Sequence, residues 1–296
     1  MVKKACVCSV SDLLAPHAAR VEGDLHRWLV ERGTPDELAE AMRYCVDGGK
    51  RLRPAIVHLT HEALGPGEED LAARAAVAVE LVHCYSLVHD DLPAMDDDVL
   101  RRGRPTAHVK FGQAMAILAG DALLTRAFGV LADSGRRLAG AVAGELALAA
   151  GGAGMIAGQV ADMKLCRLPA GQGGLRFMHE RKTAALIRAA ARMGAICGRA
   201  AGPEVQAVGD YGLSLGLAFQ LFDDLLDATA SAEAIGKTPG KDARAGKRTY
   251  VTELGLDRAR ALGEELTQQA VAALAPLGRR AAVLSELAEL LARRTH

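Results

Sequence analysis

The chain has 296 residues, half of them hydrophobic but only 3% aromatic, and its 36 basic and 36 acidic residues cancel at neutral pH. A balanced charge offers no general attraction for nucleic acid, so anion recognition has to come from local clusters. Alanine, leucine and glycine carry the apolar weight, which favours closely packed helices over sheet, and the length suits one large domain spanning 1–296.

Residues 11–32 place Leu14, Val21, Leu25, Trp28 and Leu29 at helical spacing, with a stop at Gly33. Thr34, Pro35 and Glu37 then read as the cap, first-turn residue and capping-box acid of a second helix, which ends at Gly48-Gly49. A third helix is predicted from Pro54 to Gly65. A fourth is predicted from Glu68 to Leu92, with Leu81, Tyr85 and Val88 on one stripe. Further helices are expected over 107–132, 136–166, 174–199, 203–228, 256–274 and 278–294. The breaks between them are short enough for interhelical loops, and the longest irregular stretch is 229–248. The expectation is an all-α fold: a single large helical bundle around a central active-site cavity. Among six cysteines only Cys6 and Cys8 are close together, which is no metal-ligand spacing; they read as reduced thiols of a cytoplasmic chain. MVKKACVCSVSDLL lacks a long apolar run, and the most apolar tract, 141–158, is interrupted by Glu145. Neither a secretory signal nor stable membrane insertion is expected.

Two acidic clusters interrupt this pattern. HDDLPAMDDD contains Asp90, Asp91, Asp96, Asp97 and Asp98, and FQLFDDLLDA contains Asp223, Asp224 and Asp227. Asp223 and Asp227 are four apart and share a helix face, yet their neighbours are leucine and phenylalanine rather than lysine. Aspartates at the end of the fourth helix oppose its dipole. Pro93 lets the chain turn there, so Asp96 need not follow helical spacing. At 4 Å and an effective dielectric near 20, each carboxylate pair repels by about 4 kcal/mol. Several such pairs would consume a stability of roughly 5–15 kcal/mol unless the groups splay into water or cations hold them. Oxygen-only ligands suit a hard ion, and Mg²⁺ commonly takes one or two carboxylates plus substrate phosphates.

Cations complete the pattern. GGKRLRP places Lys50, Arg51 and Arg53 between a glycine stop and a helix start, where backbone donors and basic side chains suit phosphate. Arg101 and Arg102 follow the first acidic cluster, Lys182 and Thr183 lie in ERKTAALIRAA, and Lys237 and Lys247 lie in the irregular stretch. His83 precedes Asp90 by seven residues, nearly on the same helix face and about 10 Å away. Acidic groups bind a diphosphate only through metal, whereas lysines and arginines bind one without it. The two kinds of group together suggest two phosphorylated substrates.

The chain from GGKRLRP to GKRTY resembles the trans-isoprenyl diphosphate synthases of the polyprenyl synthetase family, most closely the bacterial farnesyl diphosphate synthases. LVHDDLPAMDDDVLRRGRPTAH resembles the family's first aspartate-rich motif in its longer form, and FQLFDDLLDATASAEAIGKTPGKDARAGK resembles the second. The resemblance implies that Asp90, Asp96, Asp223 and Asp227 hold Mg²⁺ (or Mn²⁺) on an allylic diphosphate, with Asp91 and Asp224 supporting them directly or from behind. It implies that Arg101, Lys182, Lys237 and Lys247 contact the same diphosphate, and that Lys50, Arg53, His83 and Arg102 bind isopentenyl diphosphate. Thr183 and Gln220 would line the reaction centre, and a homodimer is implied. The reaction would be 1'–4 condensation onto an allylic cation in a pocket closed to water. Val99 stands where an acid is often found, which should matter little while Asp90 and Asp96 remain.

Tyr85 lies five residues before Asp90, roughly 7–8 Å down the helix, where it could floor the hydrocarbon pocket. With the Pro93-Ala94 insertion, the resemblance implies a C15 product, with C20 second. The rivals are a terpene cyclase, which needs no isopentenyl site, a metal phosphohydrolase suggested by His89-Asp90, and an inactive regulatory subunit, which should have lost one acidic cluster.

Overall fold

The computed structural model describes residues 9–169, 171–229 and 248–293, and these residues are almost wholly helical. Helix α1 (Val10–Trp28) starts on a capping box: Asp12 N–H donates to Ser9 Oγ at 3.1 Å and Ser9 N–H to the Asp12 carboxylate at 3.0 Å. Helix α2 (Asp36–Val46) departs from the expected start. Thr34 does not cap it; the helix follows Pro35 with no side-chain cap, and Asp36 and Glu37 in the first turn complement its dipole instead. Helix α3 (Leu52–Leu64) begins directly after Arg51.

Helix α4 (Glu69–Asp90) is the core of the bundle, with buried residues on all its sides from Leu71 to Val88. Helices α3 and α6 (Gln113–Ala132) pack against it, as does α10 (Ala185–Cys197). It ends at Asp90, before Pro93 is reached, and the following loop folds back over its end. Asp96 N–H donates to Asp90 O at 2.8 Å, and Asp98 N–H to Asp91 O at 3.2 Å. A short hairpin, absent from the sequence expectation, follows: β1 (Leu100–Arg101) pairs with β2 (Arg104–Pro105) around Arg102 and Gly103. Both turn residues have positive φ, 55° and 73°, as a type I′ turn requires.

Three expected helices are broken. The 107–132 segment divides at Gly112, whose φ of 86° ends α5 (Ala107–Phe111) before α6 begins. The 136–166 segment divides at a glycine-rich turn into α7 (Ala139–Ala150) and α8 (Met155–Asp162). The 174–199 segment becomes α9 (Gln172–His179), a π-helical turn over Glu180–Ala184, and α10. The long helix α11 (Gly202–Thr229) packs on α10 and on α13 (Leu256–Ala273), with the short α12 (Tyr250–Leu254) between α11 and α13 in sequence. A 3₁₀ segment and α14 (Ala282–Arg293) close the described chain. The stretches 69–90, 113–132 and 139–162 are long and apolar enough to cross a membrane. The first is core. The other two keep apolar side chains on the surface, among them Ile117, Leu118 and Leu148.

Candidate active site

The end of α4 and the hairpin build the first wall. Asp91 is buried, and the Arg101 fork closes on its carboxylate: Nε is 2.8 Å from both oxygens and Nη2 is 2.5 Å from Oδ1. Such charge-assisted, two-pronged bonding fixes a guanidinium in direction as well as place. Asp91 therefore acts in this structure as the partner that aims Arg101. Asp90 sits beside it under different constraints. Burial pushes its carboxyl up to about 6; Lys182 and Arg101 oppose that shift, and Asp96 and Asp91 add to it. His89, the residue behind the phosphohydrolase reading, turns onto α6, with Nε2 3.1 Å from Ile117 O.

The second wall is the GGKRLRP turn. Gly48 and Gly49 adopt φ of 76° and 108°, and the hairpin's Arg102 lies over them, donating from Nη1 to Gly48 O at 2.7 Å and Asp47 O at 3.2 Å. A Cβ on Gly49 would lie 2.8 Å from that guanidinium. Within the motif the three cations separate by burial, and Lys50 is exposed. Arg51 is fully buried, at 2.7 Å from Glu80 and 2.6 Å from Glu22, with Nη2 also donating to Val46 O. It anchors the turn to α4 and α1. Arg53 keeps a buried Nε without a hydrogen-bond partner among the described residues. Burial draws its pKa down, while Glu80, Cys84 and Asp223 pull it back up. His83 is held neutral: burial lowers its pKa strongly, and Arg53, Arg102, Arg101 and Arg51 lower it further. Of the four guanidiniums acting on this uncharged imidazole, Arg51 and Arg101 are already paired with carboxylates, while Arg53 and Arg102 form no ion pair among the described residues.

The third wall comes from α8, the π turn and α11. Lys182 Nζ lies 2.5 Å from Asp162 Oδ2. Thr183 Oγ1 donates to Gln220 Oε1 at 2.9 Å, Gln220 Nε2 donates to Asp224 Oδ1 at 3.0 Å, and Tyr250 N–H donates to Asp224 Oδ2 at 3.1 Å. The π turn places Lys182 and Thr183 side by side in this chain of contacts; such turns recur at functional sites. Asp224 is buried with both oxygens engaged, so it braces the wall, while Asp223 is half-buried and Asp227 exposed on the same helix. Lys182 links this wall to Asp90, and Arg53 links α3 to Asp223. Lys237 and Lys247 lie outside the described residues.

Asp162 and Gln159 escaped the sequence reading. Gln159 precedes Asp162 by three residues on α8, and its amide nitrogen and oxygen are both buried without partners among the described residues. The available signal was an isolated glutamine and aspartate in an alanine- and glycine-rich tract. Among the described residues, no three acidic, histidine or cysteine side chains converge closely enough to cage a metal unaided.

Residues 35–276 match the family model described as polyprenyl synthetase. The chain belongs to the polyprenyl synthetase family. It is 45% identical to the farnesyl diphosphate synthase of Escherichia coli K12 over 260 residues, covering 86% of this chain and 87% of that one. It is 44% identical to the chloroplastic geranylgeranyl pyrophosphate synthase of Capsicum annuum, covering 88% and 72% respectively. The crystal structure of a geranyltransferase from Helicobacter pylori, complexed with magnesium and isoprenyl diphosphate, superposes with a TM-score of 0.79 at 31% identity and covers 99% of each chain. In this fold the charges of Lys182 and Arg101 act on Asp90, and that of Asp223 acts on Arg53 of the cationic turn.

Proposed function

We infer that this polyprenyl synthetase condenses isopentenyl diphosphate head to tail with allylic diphosphates, and that its main product is the C15 farnesyl diphosphate. Family membership supports the reaction class, and the E. coli relative supports the C15 assignment. The observation that carries the product length is Tyr85. It is buried on α4, about 7.5 Å along the helix from Asp90, and its ring meets the His89 ring edge-on at 5.7 Å. A chain growing from a diphosphate at Asp90 meets this aromatic early. Geranylgeranyl diphosphate is the second reading, since the Capsicum relative carries that name.

The donor set fits Mg²⁺: Asp90 and Asp96 on one wall, Asp223 and Asp227 on another, all oxygen ligands, and the Helicobacter relative was crystallised with magnesium. Bound there, the ion would supply charge neutralisation on the departing diphosphate. The chain's own cations act with it. Lys182, held by Asp162, and Arg101, held by Asp91, stabilise negative charge as the C–O bond of the allylic diphosphate breaks. Lys50, Arg53 and Arg102 fix isopentenyl diphosphate by its phosphates, so that its double bond faces the allylic cation. Neutral His83 adds a hydrogen-bonding group there without further positive charge. Thr183 and Gln220 line the reacting carbons, and the released diphosphate accepts the proton lost in forming the product. Apolar walls keep water from quenching the cation.

Incubation with isopentenyl and dimethylallyl diphosphates, followed by dephosphorylation and chromatography of the alcohols, tests this reading. Farnesol is expected from wild type and longer alcohols from Tyr85→Ala. Equal chain lengths from both would remove Tyr85 as the floor; phosphate release without elongation would remove the condensation itself. The exposed apolar faces of α6 and α7 support a homodimer packed through these helices. Analytical ultracentrifugation should find two copies, and Leu118→Glu should yield monomers.

A further inference from the structure

We propose that the cleft where α4 begins and α10 ends is a second anion site, shaped for a phosphate group carried on a small apolar arm. The cleft holds about 420 Å³ and is lined by Glu68, Arg137, Leu138, Ile196, Arg199 and Ala200. It is remote from the reaction centre: α4 runs 22 residues, about 33 Å, from this end to Asp90.

Charge argues for an anion. Arg199 Nη2 lies 2.7 Å from Glu68 Oε1, and Arg136 Nη1 lies 3.7 Å from Oε2. Arg137 acts on the same carboxylate, and the three guanidiniums together hold Glu68 below the usual carboxylate range, led by the Arg199 hydrogen bond. Three positive charges thus share one negative charge. Arg137 makes no ion pair or side-chain hydrogen bond among the described residues. The acids of the adjoining turns are already engaged, Asp133 by Arg126 at 3.0 Å and Glu204 by Arg280 at 2.6 Å. Guanidinium forks match phosphate oxygens in pairs, which lysines do not.

Rigidity argues for a built site rather than a loose patch. Glu68 N–H donates to Cys197 O at 2.8 Å, which ties the start of α4 to the end of α10. Gly67 packs against the same carbonyl so closely that a side chain there would overlap it. Arg199 takes a left-handed φ of 55° just after α10, with its N–H on Ile196 O and that of Ala200 on Ala195 O. The guanidinium therefore projects from a fixed helix end. Leu138, Ile196 and Ala200 supply the apolar side, and the volume exceeds what one phosphate fills.

The test is calorimetric titration of the full chain in EDTA with inorganic phosphate and with butyl phosphate, comparing wild type with Arg137→Glu. Arg137 is exposed and makes no contact the fold needs, so the variant should fold, and its turnover at saturating substrate should be unchanged. The variant is expected to lose one binding event, or to weaken it roughly ten- to a hundredfold, with butyl phosphate the tighter ligand in wild type. Arg199→Lys, which keeps the charge and loses the fork, should fall between. Co-sedimentation with phosphatidylglycerol vesicles that disappears in Arg137→Glu would identify a lipid headgroup; no co-sedimentation with the butyl phosphate effect retained would identify a soluble ester. Superimposable isotherms for wild type and Arg137→Glu would overturn the proposal.

Discussion

Replacing Asp90 by asparagine should stabilise the metal-free protein while abolishing its chemistry. Burial holds the Asp90 carboxyl at about 6, against an ordinary 3.8. A group whose native pKa lies above its unfolded value binds its proton more tightly when folded. The associated penalty is absent below pH 4, grows as pH rises through 4 to 6, and is complete above 6. Roughly two pKa units at 1.36 kcal/mol each set a ceiling of about 3 kcal/mol. Asparagine matches the protonated carboxyl in shape and carries no charge, so it removes most of this penalty. For a chain of this size each kcal/mol moves the melting temperature by about 2 °C, so a rise of about 4–6 °C is expected at pH 7.5 in EDTA. At pH 4 the two proteins should melt nearly together.

The same experiment with Mg²⁺ and inorganic diphosphate should reverse the order. A ligand at a thousand times its dissociation constant adds about 4.1 kcal/mol to the state that binds it, more than the ceiling of about 3 kcal/mol set by the charge penalty. Wild type should gain this and the variant should not, and the variant's turnover should fall at least a hundredfold. Calorimetric melts across pH 4–8 are the assay. If Asp90→Asn melts at or below wild type at pH 7.5 without metal, the charge penalty assigned to the end of α4 is wrong, and a structural role for the ionised carboxylate replaces it.

Other substitutions probe the remaining walls. Gly49→Ala forces a side chain into a left-handed turn, at a cost of about 1–2 kcal/mol, and into the Arg102 guanidinium; steady-state kinetics should show KM for isopentenyl diphosphate rising roughly tenfold with KM for the allylic substrate unmoved. Glu80→Ala leaves the buried Arg51 with only the part-exposed Glu22 as its carboxylate partner, and urea unfolding should record a loss of about 3 kcal/mol. Asp91→Ala releases Arg101, so kcat should fall with substrate affinities largely kept; an unchanged kcat would mean that the fork is not what aims the arginine.

The acidic banks were legible because each is contiguous, and charge crowded among apolar residues has few explanations. The partners that give each group its job were not legible, because they arrive from far along the chain. Arg101 is ten residues from Asp91, Lys182 twenty from Asp162, and Arg102 fifty-four from Gly48. The breaks at Gly112 and after Ala150, and the π turn, were hidden for another reason: alanine-rich apolar spacing continues across them, and only tertiary packing decides where the backbone departs from it.

GGKRLRP shows where sequence pattern stops and packing begins. Lys50, Arg51 and Arg53 have similar charge and occupy four consecutive positions with one leucine among them. Helix α3 starts between the two arginines. Arg51, in the left-handed turn that precedes it, is directed back to the core, where Glu80 of α4 and Glu22 of α1 neutralise it. Arg53, the second residue of the new helix, enters a space it shares with His83 and Arg102, where Glu80, Cys84 and the opposite bank at Asp223 act on it without a hydrogen bond to its buried Nε. A buried guanidinium already hydrogen-bonded to two carboxylates has little to gain from a substrate phosphate, whereas one with a buried, unpartnered Nε beside another cation has more. The same charge therefore braces the turn at one position and is left with a free donor two residues later, and the difference is that Glu80, twenty-nine residues from Arg51 on an apolar helix, gives its hydrogen bond to Arg51 and acts on Arg53 only through space.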